Sequence, residues 1–175
     1  MATWKIDPAH SEIEFKVKHL MITNVTGHFA GYDATLESGK DDFSDAKISF
    51  EADVNTISTK NSQRDEHLKS PDFFDAAKYG KITFKSTDVK KKDDENFVLT
   101  GDLTIRDVTR PVDLEVEYAG TQVDPYGQTK AGFELKGKIN RKDFGLTWSA
   151  TTEAGGLVLS DDVRLALAVQ MVKQA

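Results

Sequence analysis

Eight stretches of the chain alternate apolar and polar residues, and most keep their apolar residues in one register. In the first, Ile13, Phe15 and Val17 alternate with Glu12, Glu14, Lys16 and Lys18. Strand side chains have a period of two, so this segment has one dry face and one wet face. Ile48, Phe50, Ala52 and Val54 repeat the pattern, as do Phe97, Leu99, Gly101, Leu103 and Ile105. Val112, Leu114, Val116 and Tyr118 follow, then Ala131, Phe133, Leu135, Gly137 and Ile139, then Val163, Leu165, Leu167, Val169 and Met171. Ile82 and Phe84 begin a shorter example. One stretch changes parity: Val25, Gly27 and Phe29 share one face, while Tyr32, Ala34 and Leu36 share the other. A bulge near Gly31 reconciles the two halves.

The alternation predicts strands over 11–18, 25–37, 46–55, 81–89, 96–106, 110–119, 128–139 and 161–172, with a short one over 3–6 beside the barrel mouth. Eight long strands joined mostly by short hairpins predict an all-β fold, an eight-stranded antiparallel up-and-down barrel. Turn signals fit this order. They are Gly39 to Ser44, the charged run Lys90 to Asn96, the tight connection Asp107 to Pro111, and Asp124-Pro125-Tyr126-Gly127. Pro111 at a strand start costs no ladder bond.

Two segments break the pattern. The first runs from Ser58 to Gly80. Ser62 followed by Asp65 reads as a helix cap, predicting a short helix over 63–69 that ends near Ser70-Pro71. Ser70 and Pro71 can open a second short helix carrying Phe73, Phe74, Ala76 and Ala77. This helical insert, about 59–79, must cover something apolar with Leu68, Phe73, Phe74 and Tyr79. The second break, Asn140 to Ser160, holds Phe144, Leu146, Trp148 and the Gly155-Gly156 pair. Irregular segments of this length are often lids or binding elements.

Composition narrows the class. A chain of 175 residues reads as a single domain, 1–175, and can bury its own core. It has no cysteine, so disulfides, thiol chemistry and cysteine-ligated metals are excluded. A net charge of −6 argues against nucleic acid as a partner and against docking on an anionic membrane by charge alone. No apolar run approaches the ~20 residues of a spanning helix. The first residues lack the basic start and apolar core of an export signal, so the chain as given is expected in the cytoplasm, or in the periplasm if a signal has been removed. A membrane barrel would also alternate, with the polar face inward. Here the polar face is dense in charge (Glu115, Glu117, Glu134, Lys136, Lys138) and aromatic girdles are missing, which favours a barrel with its apolar face inside.

Such an interior is either packed by its own side chains or hollow enough for one ligand. Gly27, Ala52, Gly101, Ala131 and Gly137 fall in the inward register and leave room there, or mark points where strands bend. The histidines His10, His19, His28 and His67 form no metal-ligand spacing and read first as structural or surface residues. His19 and His67 lie where they can meet at a barrel mouth. Arg64 beside Asp65 reads as an ion pair or as a cation facing a ligand's polar head. Asp143-Phe144-Gly145 matches a kinase tripeptide without the loops that give it meaning, and the Asn24-Val25-Thr26 sequon has no secretory context. No nucleophile elbow, Walker loop or dinucleotide fingerprint is present.

The opening Trp4-Lys5-Ile6-Asp7-Pro8-Ala9-His10-Ser11, with Ile13, Phe15 and His19-Leu20, resembles the start of the YceI-like family. Further matches are Val25-Thr26-Gly27-His28-Phe29, Arg64-Asp65-Glu66-His67-Leu68 with Ser70, Phe73 and Phe74, and Gly101-Asp102-Leu103-Thr104-Ile105 leading to Thr109-Arg110-Pro111-Val112. The last is Ile139-Asn140-Arg141-Lys142-Asp143-Phe144-Gly145-Leu146. The ordered set covers almost the whole chain. The resemblance implies a lipocalin-like barrel around a long, chain-like lipid of the polyisoprenoid or isoprenoid quinone type. It also implies frequent export to the periplasm and, in several members, a homodimer. The first residues given do not read as an export signal, which sets the expectation for this chain apart from the exported members.

The expected function is binding of one such amphiphilic lipid for carriage, storage or sequestration, without enzymatic activity and without a metal or redox cofactor. The tail would lie along Phe15, Val17, Phe29, Phe50, Phe84, Phe97, Leu99, Ala131, Phe133, Leu135, Gly137 and Trp148. Arg64, His67 and His19 are the candidates for the polar head. The alternatives are an enzyme acting on such a lipid, with His67 and Asp65 as acid–base pair, and a packed barrel serving as an interaction module.

Overall fold

The computed structural model describes residues 1–149 and 158–175. Its strands are β1 (Ala2–Ile6), β2 (Glu12–His19), β3 (Thr23–Phe29), β4 (Tyr32–Ser38), β5 (Lys47–Asp53), β6 (Ile57–Ser58), β7 (Lys81–Lys91), β8 (Asn96–Ile105), β9 (Val108–Val123), β10 (Thr129–Asn140) and β11 (Leu159–Lys173). A helix, α1 (Ser62–Lys69), lies between β6 and β7. Every ladder is antiparallel. The ring runs β1-β4-β5-β7-β8-β9-β10-β11 and returns to β1, giving a closed eight-stranded barrel, while β2, β3 and β6 extend it at one end.

Three breaks set the strand count: one parts the short first strand from β2, and two divide the expected strands 25–37 and 46–55. Asp7 stands at the first. Its carboxylate accepts from Ala9 N at 3.1 Å and caps the 3-10 turn Pro8–His10, and it also meets His10 at 2.8 Å and Lys130 at 3.2 Å. The hydrogen bond from His10, with the Lys130 ammonium, holds the Asp7 carboxyl below its ordinary pKa, so the pin stays charged. Gly31 marks the second break. Its N–H donates to Thr56 Oγ1 at 2.9 Å and its carbonyl accepts from Asp53 N at 2.8 Å. The break carries the inward register from Gly27 and Phe29 to Ala34 and Leu36, as the change of parity requires. Val54–Thr56 breaks the third strand in the same way, carrying the register from Ala52 to Ile57.

β1 is not beside the mouth, as expected from its sequence. It hydrogen-bonds to β4 on one side and to β11 on the other and closes the ring at the opposite end. That end is stoppered by Phe43, which the sequence placed in a plain hairpin loop. Its ring stacks edge-on against Trp4, Tyr118 and Phe133 at 5.3–5.4 Å between centroids. The loop is pinned around it: Asp45 accepts from Ser38 Oγ and from Gly39 N, and Asp42 pairs with Lys91 at 3.2 Å. The Ser44 hydroxyl and amide, with Lys91, bring Asp42 down to about 2, so these contacts persist in mild acid.

The other end is built differently. β6 pairs only with β3, not with β7, so the sheet parts there. Residues 59–80 fill the parting. The helix begins one residue earlier than expected, because Asn61, not Ser62, caps it by accepting from Arg64 N at 3.0 Å. The second predicted helix is instead a run of turns. Phe74 N bonds Leu68 O, Ala76 N bonds Lys69 O, and Tyr79 N bonds Asp75 O. No helix among the described residues is long and apolar enough to cross a membrane.

Replacing Phe43 with alanine removes the stopper and leaves Trp4 and Phe133 facing a void. A buried Phe→Ala change typically costs about 3–5 kcal/mol. The loss is expected as a lower urea midpoint with an unchanged slope; a loss under ~1 kcal/mol would show that the end collapses to fill the gap.

Candidate functional site

The inward side chains enclose a cavity of ≈ 410 Å³. It extends from Phe43 at the stoppered end to His19, Arg64, His67, Trp148 and Val158 at the other. The apolar face is inward and the charged face outward, the reverse of a membrane barrel. His19, Arg64, His67 and Trp148 are half-buried, so the cavity meets solvent where they stand. The polar groups in its wall gather mainly at this end, whereas the rest is Phe, Leu, Ile and Val from every side of the barrel. An interior packed solid by its own side chains is therefore not what this sequence builds.

Of the residues expected along the tail, Phe15, Val17, Phe29, Phe50, Phe84, Phe97, Leu99, Phe133, Leu135 and Trp148 line the cavity. Ala131 and Gly137 do not. Ala131 is fully buried (0 % exposed) among Trp4, Phe43 and Met171 at the stoppered end. Gly137 lies under Leu114, where an added Cβ would come within 2.5 Å of the leucine's Cδ2. Gly27, Gly101 and Gly137 do not leave holes but seat larger neighbours, whereas Ala52 does line the cavity. A Cβ on Gly27 would lie 2.1 Å from the Phe15 ring, and one on Gly101 would lie 2.4 Å from the Phe84 ring. Each glycine leaves the end of a ring the space that a Cβ would take.

The polar end is organised by two arginines. Arg64, on α1, donates from Nε to Thr59 Oγ1 at 2.8 Å and from Nη2 to Thr59 O at 2.7 Å. Asp65 accepts from the same Thr59, through its N–H at 2.8 Å and its hydroxyl at 2.6 Å. Arg64 and Asp65 thus meet through the buried Thr59 and not as an ion pair. Arg64 Nη1 has no hydrogen-bond partner among the described residues, and the side chain stands in the cavity wall.

His67 also lies on α1 and lines the cavity. Its Nε2 bonds Asp72 at 2.9 Å, not Asp65, so the acid–base pair considered from sequence is not assembled. Its ring instead packs edge-on against Trp148 at 4.9 Å and Phe73 at 5.1 Å, an aromatic rim at the opening. His19 lines the same opening from β2, and no hydrogen bond joins it to His67.

Arg141 was not singled out by spacing. It is 3 % exposed, an unusual place for a guanidinium. Nη1 donates to Leu146 O at 2.7 Å and to Trp148 O at 2.6 Å, while Nε donates to Ser160 O at 3.0 Å. It thereby holds the Trp148 wall against the start of β11. Burial pulls its pKa down, and Asp161, 3.8 Å away, opposes that pull. The tripeptide Asp143-Phe144-Gly145 serves this corner structurally: Phe144 is buried and Gly145 adopts the left-handed conformation that ends the 3-10 turn Arg141–Phe144. Gly155 and Gly156 lie outside the described residues. Among the described residues, no three of His, Asp and Glu cluster so as to hold a metal ion.

Gly27→Ala tests the seating of the rings. The methyl drives the Phe15 ring into the lumen, and overpacking of this kind costs about 1–3 kcal/mol. A lower melting temperature and a smaller uptake of an apolar fluorescent probe are expected together. Unchanged uptake with a lowered melt would show that Phe15 moves elsewhere.

A family profile described as the YceI-like domain matches residues 4–171. The UPF0312 protein SA2479 of Staphylococcus aureus (strain N315) is 39 % identical over 165 residues, 94 % of each chain. Among solved structures, a YCEI protein of Campylobacter jejuni superposes with a TM-score of 0.78 at 36 % identity, covering 90 % of both chains. A polyisoprenoid binding domain from Saccharophagus degradans shares the fold, with a TM-score of 0.69 at 14 % identity over 98 % of both chains. The profile match spans nearly the whole barrel, from Trp4 at its stoppered end to Met171 in the last strand, and by it the chain belongs to the YceI-like domain family.

Proposed function

We propose that the barrel binds one long-chain amphiphilic lipid, of the polyisoprenoid or isoprenoid quinone type, for carriage, storage or sequestration. The observation that carries this reading is the ≈ 410 Å³ apolar cavity with its polar groups gathered mainly at one end. A chain-like tail fits a lumen walled by Phe and Leu on all sides, and a polar head fits the end that holds Arg64, His67 and His19. The volume lies in the range of ligand pockets, ~300–1,000 Å³. The energetics favour an occupant. The lumen opens to solvent, and water inside it meets an almost wholly apolar wall with few groups to bond. An apolar tail displaces that water and gains about 25 cal/mol for each Å² of its own surface withdrawn from water. The polyisoprenoid binding domain that shares the fold supports the same ligand class. In this reading the whole chain is one binding domain, the insert over 59–79 is its mouth, and no catalytic step is involved.

Protein purified without detergent, extracted with organic solvent and analysed by mass spectrometry is expected to release a lipid with five-carbon periodicity, near one per chain. A clean extract, together with no uptake of added geranylgeraniol, would reject the reading.

The Nη1 of Arg64, which has no partner among the described residues, supports a place for this side chain at the head. Arg64→Ala is expected to weaken a lipid with a carbonyl or anionic head about tenfold or more, the worth of one charged hydrogen bond, and to spare a plain hydrocarbon of equal length. Equal losses for both ligands with a large drop in melting temperature would instead assign Arg64 to holding Thr59.

A further inference from the structure

The turn between β2 and β3 breaks two rules at once. Leu20, Met21 and Ile22 are 39, 52 and 79 % exposed, a run of three large apolar side chains in water. Leu20 and Met21 also have positive φ, +53° and +59°, and Ile22 N–H donates to His19 O at 3.2 Å. Positive φ at both central residues is the signature of the type I′ hairpin turn, which strongly favours Asn-Gly. Bulky side chains are penalised in that conformation. The sequence thus sets unfavourable residues in an unfavourable backbone and leaves them unburied. Backbone outliers of this kind mark places where something other than stability is served.

Position indicates what is served. Leu20 N–H donates to Val158 O at 2.8 Å, and both Val158 and the adjoining His19 line the cavity at its open end. The tip therefore projects from the rim of the mouth. Below it stands Lys18, exposed and without an acidic partner among the described residues; Lys60, likewise exposed, follows the cavity-lining Thr59. An apolar tip with Lys18 at its base matches the layering of a bilayer surface, where phosphates lie above the acyl region.

We propose that Leu20, Met21 and Ile22 form a membrane-docking tip, which seats the open end of the barrel on a phospholipid bilayer so that a lipid passes between membrane and cavity without crossing water. This rests on the lipid-binding reading for its purpose, but the docking itself does not. A bilayer is the occupant favoured over a second copy of the chain. The three side chains offer on the order of 300 Å², well short of the ~800 Å² per partner that a stable dimer buries. A fluid acyl layer needs no complementary surface. The net charge of −6 leaves the tip, not general attraction, to bring the protein to the membrane.

The test is the triple variant Leu20→Asn, Met21→Gly, Ile22→Thr. It puts the favoured Asn-Gly pair into the turn, so it is expected to melt at or above the temperature of the unmodified protein. Ile22→Thr alone leaves the left-handed pair intact and serves as a second variant. In flotation with phosphatidylcholine vesicles the unmodified protein is expected to rise with the lipid. The triple variant should lose about tenfold or more of that binding, and Ile22→Thr part of it. Transfer of geranylgeraniol from the same vesicles should slow in parallel, while binding of monomeric farnesol from water stays unchanged. Equal flotation of all three proteins overturns the proposal, as does an unmodified protein that stays with the soluble fraction. So does loss of flotation accompanied by a lowered melt, which makes the tip structural, or by conversion of a dimer to a monomer, which makes it a subunit contact. If no protein takes up farnesol yet flotation differs as stated, the lipid-binding reading fails and the docking tip stands.

Discussion

Strand β1 hydrogen-bonds on both of its edges, to β4 and to β11, and the enclosed interior depends on that double pairing. Once the ring is closed there, no free edge remains at that end, and every inward side chain faces the same lumen. Closure fails at the other end, where β6 pairs only with β3. The barrel is consequently stoppered by Phe43 at one end and bridged by α1 and the turns after it at the other. The asymmetry of the cavity, greasy along its length and polar mainly at its mouth, follows from where the sheet can and cannot close.

Two inward glycines give large lining rings room at the wall of the lumen. Gly27 seats the Phe15 ring and Gly101 seats the Phe84 ring. Protein interiors ordinarily pack without voids larger than a water molecule. A cavity of ≈ 410 Å³ is a departure from that rule, and a bound apolar tail is the occupant its walls suit. The mouth is tied together by buried polar contacts. Thr59 ties Arg64 to Asp65, and the buried Arg141 gathers three carbonyls, two of them from the segment that carries Trp148.

The strand faces were legible in the sequence because period-two alternation is local: Ile13 through Val17 and Phe97 through Ile105 need no tertiary information. The parity change near Gly31 was legible for the same reason. What was not legible is set by contacts distant in sequence. The role of β1 depends on residues 30 to 36 positions away in β4 and at the far end of the chain in β11. Phe43 sits in a loop of turn-forming residues, where alternation says nothing about which side chain folds inward. The glycines at 27, 101 and 137 were readable as inward, but whether they leave space or seat a neighbour depends on rings in other strands. Arg64 and Asp65 are adjacent in the chain and so suggested a pair, whereas the shared partner is Thr59, upstream of the helix. Arg141 lies within the stretch that carried the family resemblance, yet a lone arginine in a polar run gives no local sign of burial.

The account turns on whether the cavity is made to be filled. Differential scanning calorimetry of solvent-stripped protein, with and without added geranylgeraniol, measures this most directly. A ligand at a hundred times its dissociation constant stabilises by ~2.7 kcal/mol, which raises the melting temperature of a chain this long by about 5–10 °C. A rise of that size that saturates at one lipid per chain is the predicted result. A melting temperature that does not move, in protein shown to be folded and free of lipid, would contradict the account.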